Sequence, residues 1–214
     1  MTSPTKLTLS SEERLLVNNS NWILTKRTII EKAVLLLGEL QGKIKPVILD
    51  YEKLLPQAII HSEPKISKGE SYRMLPYVLL DYPKYFDKEN IFVVRTMFWW
   101  GNFFSITLHL SGQYKTAFAI ALAKNVAALQ LGNYYICVND DQWQHHFEPD
   151  NYFTAAEKTS EELKSIILQR PFLKIARKFP LEQWDEMPIV LERSFIAMME
   201  LLTPSVSPEK NGKD

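Results

Sequence analysis

The chain has 214 residues, of which 46% are hydrophobic and 23% charged, as in an ordinary globular protein of one domain. Lysine plus arginine number 25, as do aspartate plus glutamate, so the formal net charge is zero. Because no excess of positive charge is present to release counterions from a nucleic acid, no nucleic-acid partner is expected.

The single cysteine, Cys137, excludes an internal disulfide framework and a cysteine-based zinc site. The first residues show no apolar signal core, which predicts a reducing, cytoplasmic location. The most apolar stretch, residues 92–112, is interrupted by an arginine, a glycine, an asparagine and a histidine. A membrane-spanning helix needs about 20 mostly apolar residues, so no membrane partner is expected.

Helices are predicted in the first part of the chain. Ser10 and Glu13 have the spacing of a capping box, which indicates a helix start. Apolar residues at helical spacing predict a second helix over 22–41, and a short one follows over 46–55. Residues 61–74 have no apolar periodicity and are predicted to form a loop.

Strands are predicted in the middle of the chain. Three neighbouring segments between residues 75 and 111 are rich in β-branched and aromatic residues, which favours antiparallel strands. A change to alanine and leucine then predicts a helix over 115–131. Residues 133–139 and 142–147 are predicted to form a second hairpin.

The last part of the chain is predicted to be helical. Thr159 with Glu162 forms a second capping box, and Pro171 is expected to open a short helix before the final one. Residues 204–214 are polar and contain proline, which predicts a disordered tail. Strands gathered between two blocks of helices predict one α+β domain over 1–203. Its antiparallel sheet is expected to have about four to five strands, with helices packed on it from both chain ends.

The apolar stretch contains Gly101-Asn102, which favours a two-residue hairpin loop in which Trp100 pairs with Phe103. One face of that hairpin is then apolar apart from one arginine. The other face carries large aromatic side chains near the turn: Phe98, Trp100 and Phe103. Three alternatives remain open for this second face: cover by the chain's own helices, a homo-oligomer contact through these aromatics, or a ligand cleft.

Several charged and hydroxyl side chains are candidates for binding an anion. Arg95 lies among apolar residues, and Asp81 on the preceding strand is its expected partner, either in a structural ion pair or in a cleft. The 65–73 loop combines cations and hydroxyls around Gly69, which suits a phosphate or carboxylate, although it matches no P-loop. The candidate ligand-binding residues are Arg95, His109, Lys68, Arg73, Tyr72 and Trp100.

Metal and cofactor sites are not predicted. His145 and His146 are adjacent, so on a strand they would point to opposite faces and could not easily share an ion, even with Asp140 and Asp141 nearby. The cysteine is interpreted as a small buried hydrophobe. The sequence also lacks the usual hydrolase, dinucleotide, Walker and zinc-protease motifs.

Two segments carry a resemblance: "KISKGESYRMLPYVLLDYPKYF" and "PFLKIARKFPLEQWDEMPIVLERSF". They resemble parts of small bacterial α+β proteins of unknown function, in which a charged loop with a tyrosine precedes an antiparallel sheet. A lysine- or arginine-rich segment then leads into a final helix. The resemblance implies a fold class and no activity.

Two functions fit these observations. The first is a cytoplasmic binding or interaction domain without a classical catalytic motif, with a second copy of itself as an expected partner. The alternative is an enzyme or small-ligand binder that acts on an anionic small molecule. Its cleft would lie beside the 65–73 loop and the 92–111 hairpin.

Overall fold

The computed structural model describes residues 7–203, which form an α+β fold around a single antiparallel sheet. Its strands are β1 (Lys65–Tyr72), β2 (Leu75–Phe86), β3 (Ile91–Trp99), β4 (Phe103–Ser111), β5 (Tyr135–Cys137), β6 (Tyr152–Thr154) and β7 (Phe172–Pro180). Their spatial order is β1-β2-β3-β4-β7-β5-β6. The predicted fold class is confirmed, and the predicted number of four to five strands is wrong, because the sheet has 7.

The helices are α1 (Ser11–Val17), α2 (Ser20–Leu49), α3 (Gln57–Ile60), α4 (Gly112–Lys124), α5 (Val126–Leu131), α6 (Ser160–Gln169) and α7 (Met187–Glu200). Both predicted capping boxes are present, at Ser10 and Thr159. The helix predicted to end near residue 41 continues through Pro46, because its buried side as far as Ile48 packs into the core. Within residues 7–203, no helix combines the length and apolar character needed to cross a membrane.

One face of the sheet packs against the helices and forms the main core. Its buried side chains on the three central strands alternate along each strand, as pleating requires. They include Phe92, Val94, Phe98, Phe104, Ile106, Leu108, Leu110, Leu173 and Ile175. Helices α2 and α7, from the two ends of the described chain, both contribute to this core, and α2 also packs against β2.

Four element predictions are wrong. The short helix predicted over 46–55 does not form, because residues up to Leu49 continue α2 and residues 50–55 lie in turns and a bend. Residues 65–72 form β1 instead of a loop, and residues 172–180 form β7 instead of a helix. In β7, Leu173, Ile175 and Phe179 lie on the same side of the strand and are buried in the core, and this strand-like spacing prevails over the helix-start signal of Pro171. Residues 142–147 belong to an irregular segment instead of a strand.

The hairpin between β3 and β4 has a different register from the predicted one. Its loop has three residues, 100–102, so Trp99 pairs with Phe103 and Arg95 pairs with Thr107. The Trp100 N–H donates to the Pro76 carbonyl on β2, so Trp100 does not pair with Phe103 on β4. The one-residue shift moves every side chain of β3 to the other face relative to β4.

The shift also separates the three aromatics of the predicted homo-oligomer contact. Phe98 is buried in the core on the helix side, and Trp100 packs edge-on against it at a ring-centre distance of 6.3 Å. Phe103 lies on the opposite face, beside Phe147 at 5.0 Å. The predicted tail, residues 204–214, lies outside the described residues.

Candidate functional site

The sheet face opposite the helices, which we call the polar face, carries hydrophilic side chains that are nonetheless little exposed. Those on its strands include Asp81, Arg95, Thr107, His109 and Lys174. An irregular stretch, residues 138–151, lies over them and is called the covering segment. It is closed at its base, where the Val138 N–H donates to the Asn151 carbonyl at 2.8 Å. The covering segment, instead of the chain's helices or open solvent, therefore covers the centre of this face.

Arg95 and Asp81 form the predicted ion pair at the centre of the polar face. The guanidinium donates from Nε to Oδ1 at 2.6 Å and from Nη2 to Oδ2 at 2.8 Å, a bidentate geometry. Its Nη1 lies 3.3 Å from Nε2 of His145 in the covering segment. Because arginine only donates, this histidine nitrogen must accept, which requires a neutral imidazole.

Lys174 is a buried cation on the same face. Its side chain points from β7 toward the covering segment, where Nζ donates to the Gln144 backbone carbonyl and lies 5.3 Å from the ring centre of Tyr152. Within the described chain, no carboxylate oxygen lies within 4.0 Å of Nζ. Burial lowers the pKa of Lys174 to about 8, so the ammonium form carries a desolvation cost at neutral pH.

The two histidines beside these cations are neutral. Burial, reinforced by the charge of Lys174, lowers the pKa of His109 to about 3, and its Nε2 lies 3.0 Å from Gln142 Oε1. Burial and the charge of Arg95 lower the pKa of His145 to about 2. At neutral pH both imidazoles can therefore donate one hydrogen bond without adding charge.

One buried hydrogen-bond donor on the polar face has no partner in the described part of the chain. The indole nitrogen of Trp99 is buried on this face without a hydrogen-bond partner among residues 7–203. The hydroxyl of Tyr72, at the end of β1, accepts the backbone N–H groups of His145 at 2.7 Å and His146 at 3.0 Å. That hydroxyl thus attaches the covering segment to the sheet and adds no acceptor for Lys174.

The structure brings together three of the six predicted ligand-binding residues. Arg95 and His109 share the polar face, and Tyr72 reaches it through the covering segment. Arg73 is exposed and pairs with Glu148. The remaining two, Lys68 and Trp100, lie on the helix side of the sheet. Lys174 and His145 were missed as site residues, although the spacing of Leu173, Ile175 and Phe179 carried a signal for β7.

Comparisons of the chain with protein-family models, with curated proteins and with solved structures found no match. The chain forms a seven-stranded antiparallel α+β fold with a buried cluster of polar and charged side chains on one sheet face.

Proposed function

We propose that the protein binds a small anionic molecule on the polar face, beneath the covering segment. The observation that carries this proposal is Lys174, a buried ammonium with no carboxylate partner among residues 7–203, on the same face as the guanidinium of Arg95. An anion that replaced the Gln144 carbonyl as acceptor would form a charge-assisted hydrogen bond with Nζ and offset its desolvation cost. His109 and His145 would supply neutral donors around it.

A ligand reaches these groups only when the covering segment moves aside, because His109 and Lys174 are 3% and 2% exposed. The segment contains no helix or strand, and irregular segments of this length in compact domains often act as lids. An ammonium and a guanidinium together favour a carboxylate or phosphate group. The proposed cleft thus differs from the predicted one, since only Tyr72 of the 65–73 stretch reaches it.

The first prediction is that Lys174→Met weakens anion binding. Wild-type protein titrated with a panel of small phosphates and carboxylates should bind at least one of them, measured by calorimetry. Loss of a charge-assisted contact worth about 1.5–3 kcal/mol should weaken that affinity by about ten- to a hundredfold. Binding should also weaken above pH 8, where Lys174 loses its proton.

The control for this variant is Lys178→Met, which removes an exposed lysine from the same face of β7. This control should bind the anion as the wild type does. Equal affinity in Lys174→Met and the wild type, or no binding of any panel member, would contradict the proposed function.

A second candidate function is contact with a second copy of the chain, favoured by an apolar surface at the N-terminal helices. Helix α1 has no buried residue. The large apolar side chains exposed there are Leu7, Leu9, Leu15, Leu16, Val17, Trp22, Ile23 and Leu24. The first turn of α1 is acidic. The neighbouring groove between α2 and β1 is lined by Lys26, Arg27 and Lys68 and by Glu31 and Glu70, so it has one more cation than carboxylates and weakly complements α1 of another copy. The predicted contact through Phe98, Trp100 and Phe103 has less support, because Phe98 is buried.

The second prediction is that Leu15→Ser with Leu16→Ser reduces self-association without loss of folding, since both side chains are exposed. Light scattering should give a larger mass for the wild type than for the variant, with similar thermal midpoints. A wild-type protein that remains monomeric at high concentration would exclude this contact.

A further inference from the structure

We propose that His146, Glu148 and Asp150 form a binding site for a first-row divalent cation such as Zn²⁺ or Mn²⁺. One ligand atom from each side chain lies within 4.8 Å of the others. His146 Nε2 is 3.2 Å from both carboxylate oxygens of Asp150 and 3.7 Å from Oε2 of Glu148. All three residues belong to one five-residue stretch of the covering segment, so a single local conformation presents the whole ligand set.

The imidazole distinguishes this cluster from an ordinary group of surface acids. His146 is 1% exposed, while the Glu148 and Asp150 side chains are 54% and 63% exposed. Its backbone carbonyl accepts the side-chain amide of Asn151, which is fully buried. The ring nitrogen is therefore held in place and faces the carboxylates, which lie at the solvent boundary where an ion can enter.

Neighbouring side chains support the ligands as outer-shell partners do in metal sites. The Tyr72 hydroxyl lies 3.2 Å from Nδ1 of His146, and Arg73 Nη1 lies 3.2 Å from Oε2 of Glu148. Without a cation, the proton on Nε2 is donated to Asp150 and the tyrosine hydroxyl donates to Nδ1. A cation on Nε2 requires the ring proton on Nδ1. The Tyr72 oxygen already accepts two backbone N–H groups, so it would then exchange one of them for Nδ1–H and turn its own proton toward Gln144 Oε1.

The ligand set determines the class of ion. One imidazole and two carboxylates suit Zn²⁺ or Mn²⁺, whereas Ca²⁺ and Mg²⁺ prefer sites made of oxygen alone. Three protein ligands also leave coordination positions for water. The site uses none of the groups proposed to bind the anion, so either proposal can fail without the other.

The test is calorimetric titration of metal-free protein with Zn²⁺ and Mn²⁺, with Ca²⁺ and Mg²⁺ in parallel. The expected result is one Zn²⁺ or Mn²⁺ per chain, bound at least about tenfold more tightly than Ca²⁺ or Mg²⁺, with a rise in the thermal midpoint. Asp150→Asn changes an exposed side chain and should weaken this binding by about tenfold or more, as should His146→Gln.

The matched control is His61→Gln, which removes an exposed histidine at the end of α3, outside the covering segment. It should leave binding unchanged. Because His146→Gln alters a buried residue and can impair folding, Asp150→Asn serves as the independent variant. The proposal is overturned by no saturable binding of Zn²⁺ or Mn²⁺, by unchanged binding in Asp150→Asn, or by equal affinity for Ca²⁺.

Discussion

Asp81→Ala is expected to lower the free energy of unfolding by about 3–5 kcal/mol, measured by urea denaturation at neutral pH. The variant removes the bidentate partner of Arg95 and leaves the guanidinium in a site where both side chains are only 12–13% exposed. A buried cation without its carboxylate has lost its solvation without the compensating attraction, which is the reason for the large cost.

Two further variants separate charge from packing. Asp81→Leu combined with Arg95→Met should recover most of the lost stability, because no unpaired charge remains. Glu70→Ala removes the partner of Lys26 in an ion pair of the same 2.6 Å length whose carboxylate is 68% exposed. That change should cost less than about 1 kcal/mol. If Asp81→Ala cost no more than Glu70→Ala, the central ion pair would not be desolvated.

Mild acid is expected to destabilise the protein through His109 and His145. The pKa of each falls from 6.5 in the unfolded chain, to about 3 and about 2 respectively. Between pH 6.5 and these values the unfolded state binds more protons than the folded state. The contribution of the two histidines to stability is therefore fully present above pH 6.5 and is lost as the pH falls. Protonation of each histidine should lower the free energy of unfolding by about 2 kcal/mol at pH 5, measured by urea unfolding at a series of pH values.

The histidine variants test this assignment directly. His109→Gln keeps a neutral hydrogen-bonding side chain. In this variant the decrease in the free energy of unfolding between pH 6.5 and pH 5 should be smaller by about 2 kcal/mol than in the wild type. His145→Gln should act similarly, whereas His61→Gln, which changes an exposed histidine at the end of α3, should leave the pH profile unchanged. A profile that is the same in all three variants would show that other groups cause the acid sensitivity.

Local signals were sufficient for some parts of the fold. The capping boxes at Ser10 and Thr159 depend on residues three apart, and both are present. The Asp81–Arg95 pair follows from two adjacent strands and the need of a buried charge for a partner. The hairpin register did not follow, because the Trp100 N–H bonds to Pro76 on another strand, a contact that no pattern within the hairpin reveals.

The candidate site was only partly predictable for a similar reason. Arg95 and His109 were identified by their chemistry, although the predicted register placed them on opposite faces. Lys174 was not identified, because lysine is almost always exposed and β7 was interpreted as a helix. The covering segment joins these residues through contacts distant in sequence, such as His109 with Gln142 and Lys174 with the Gln144 carbonyl.

The most direct test of anion binding on the polar face is a crystal structure of the protein with the tightest-binding member of the anion panel. We expect an oxygen of the anion within hydrogen-bonding distance of Lys174 Nζ, about 2.7–3.2 Å, in place of the Gln144 carbonyl. The covering segment should then close over the bound anion. An anion bound elsewhere, with Nζ still on the Gln144 carbonyl, would contradict the proposed function.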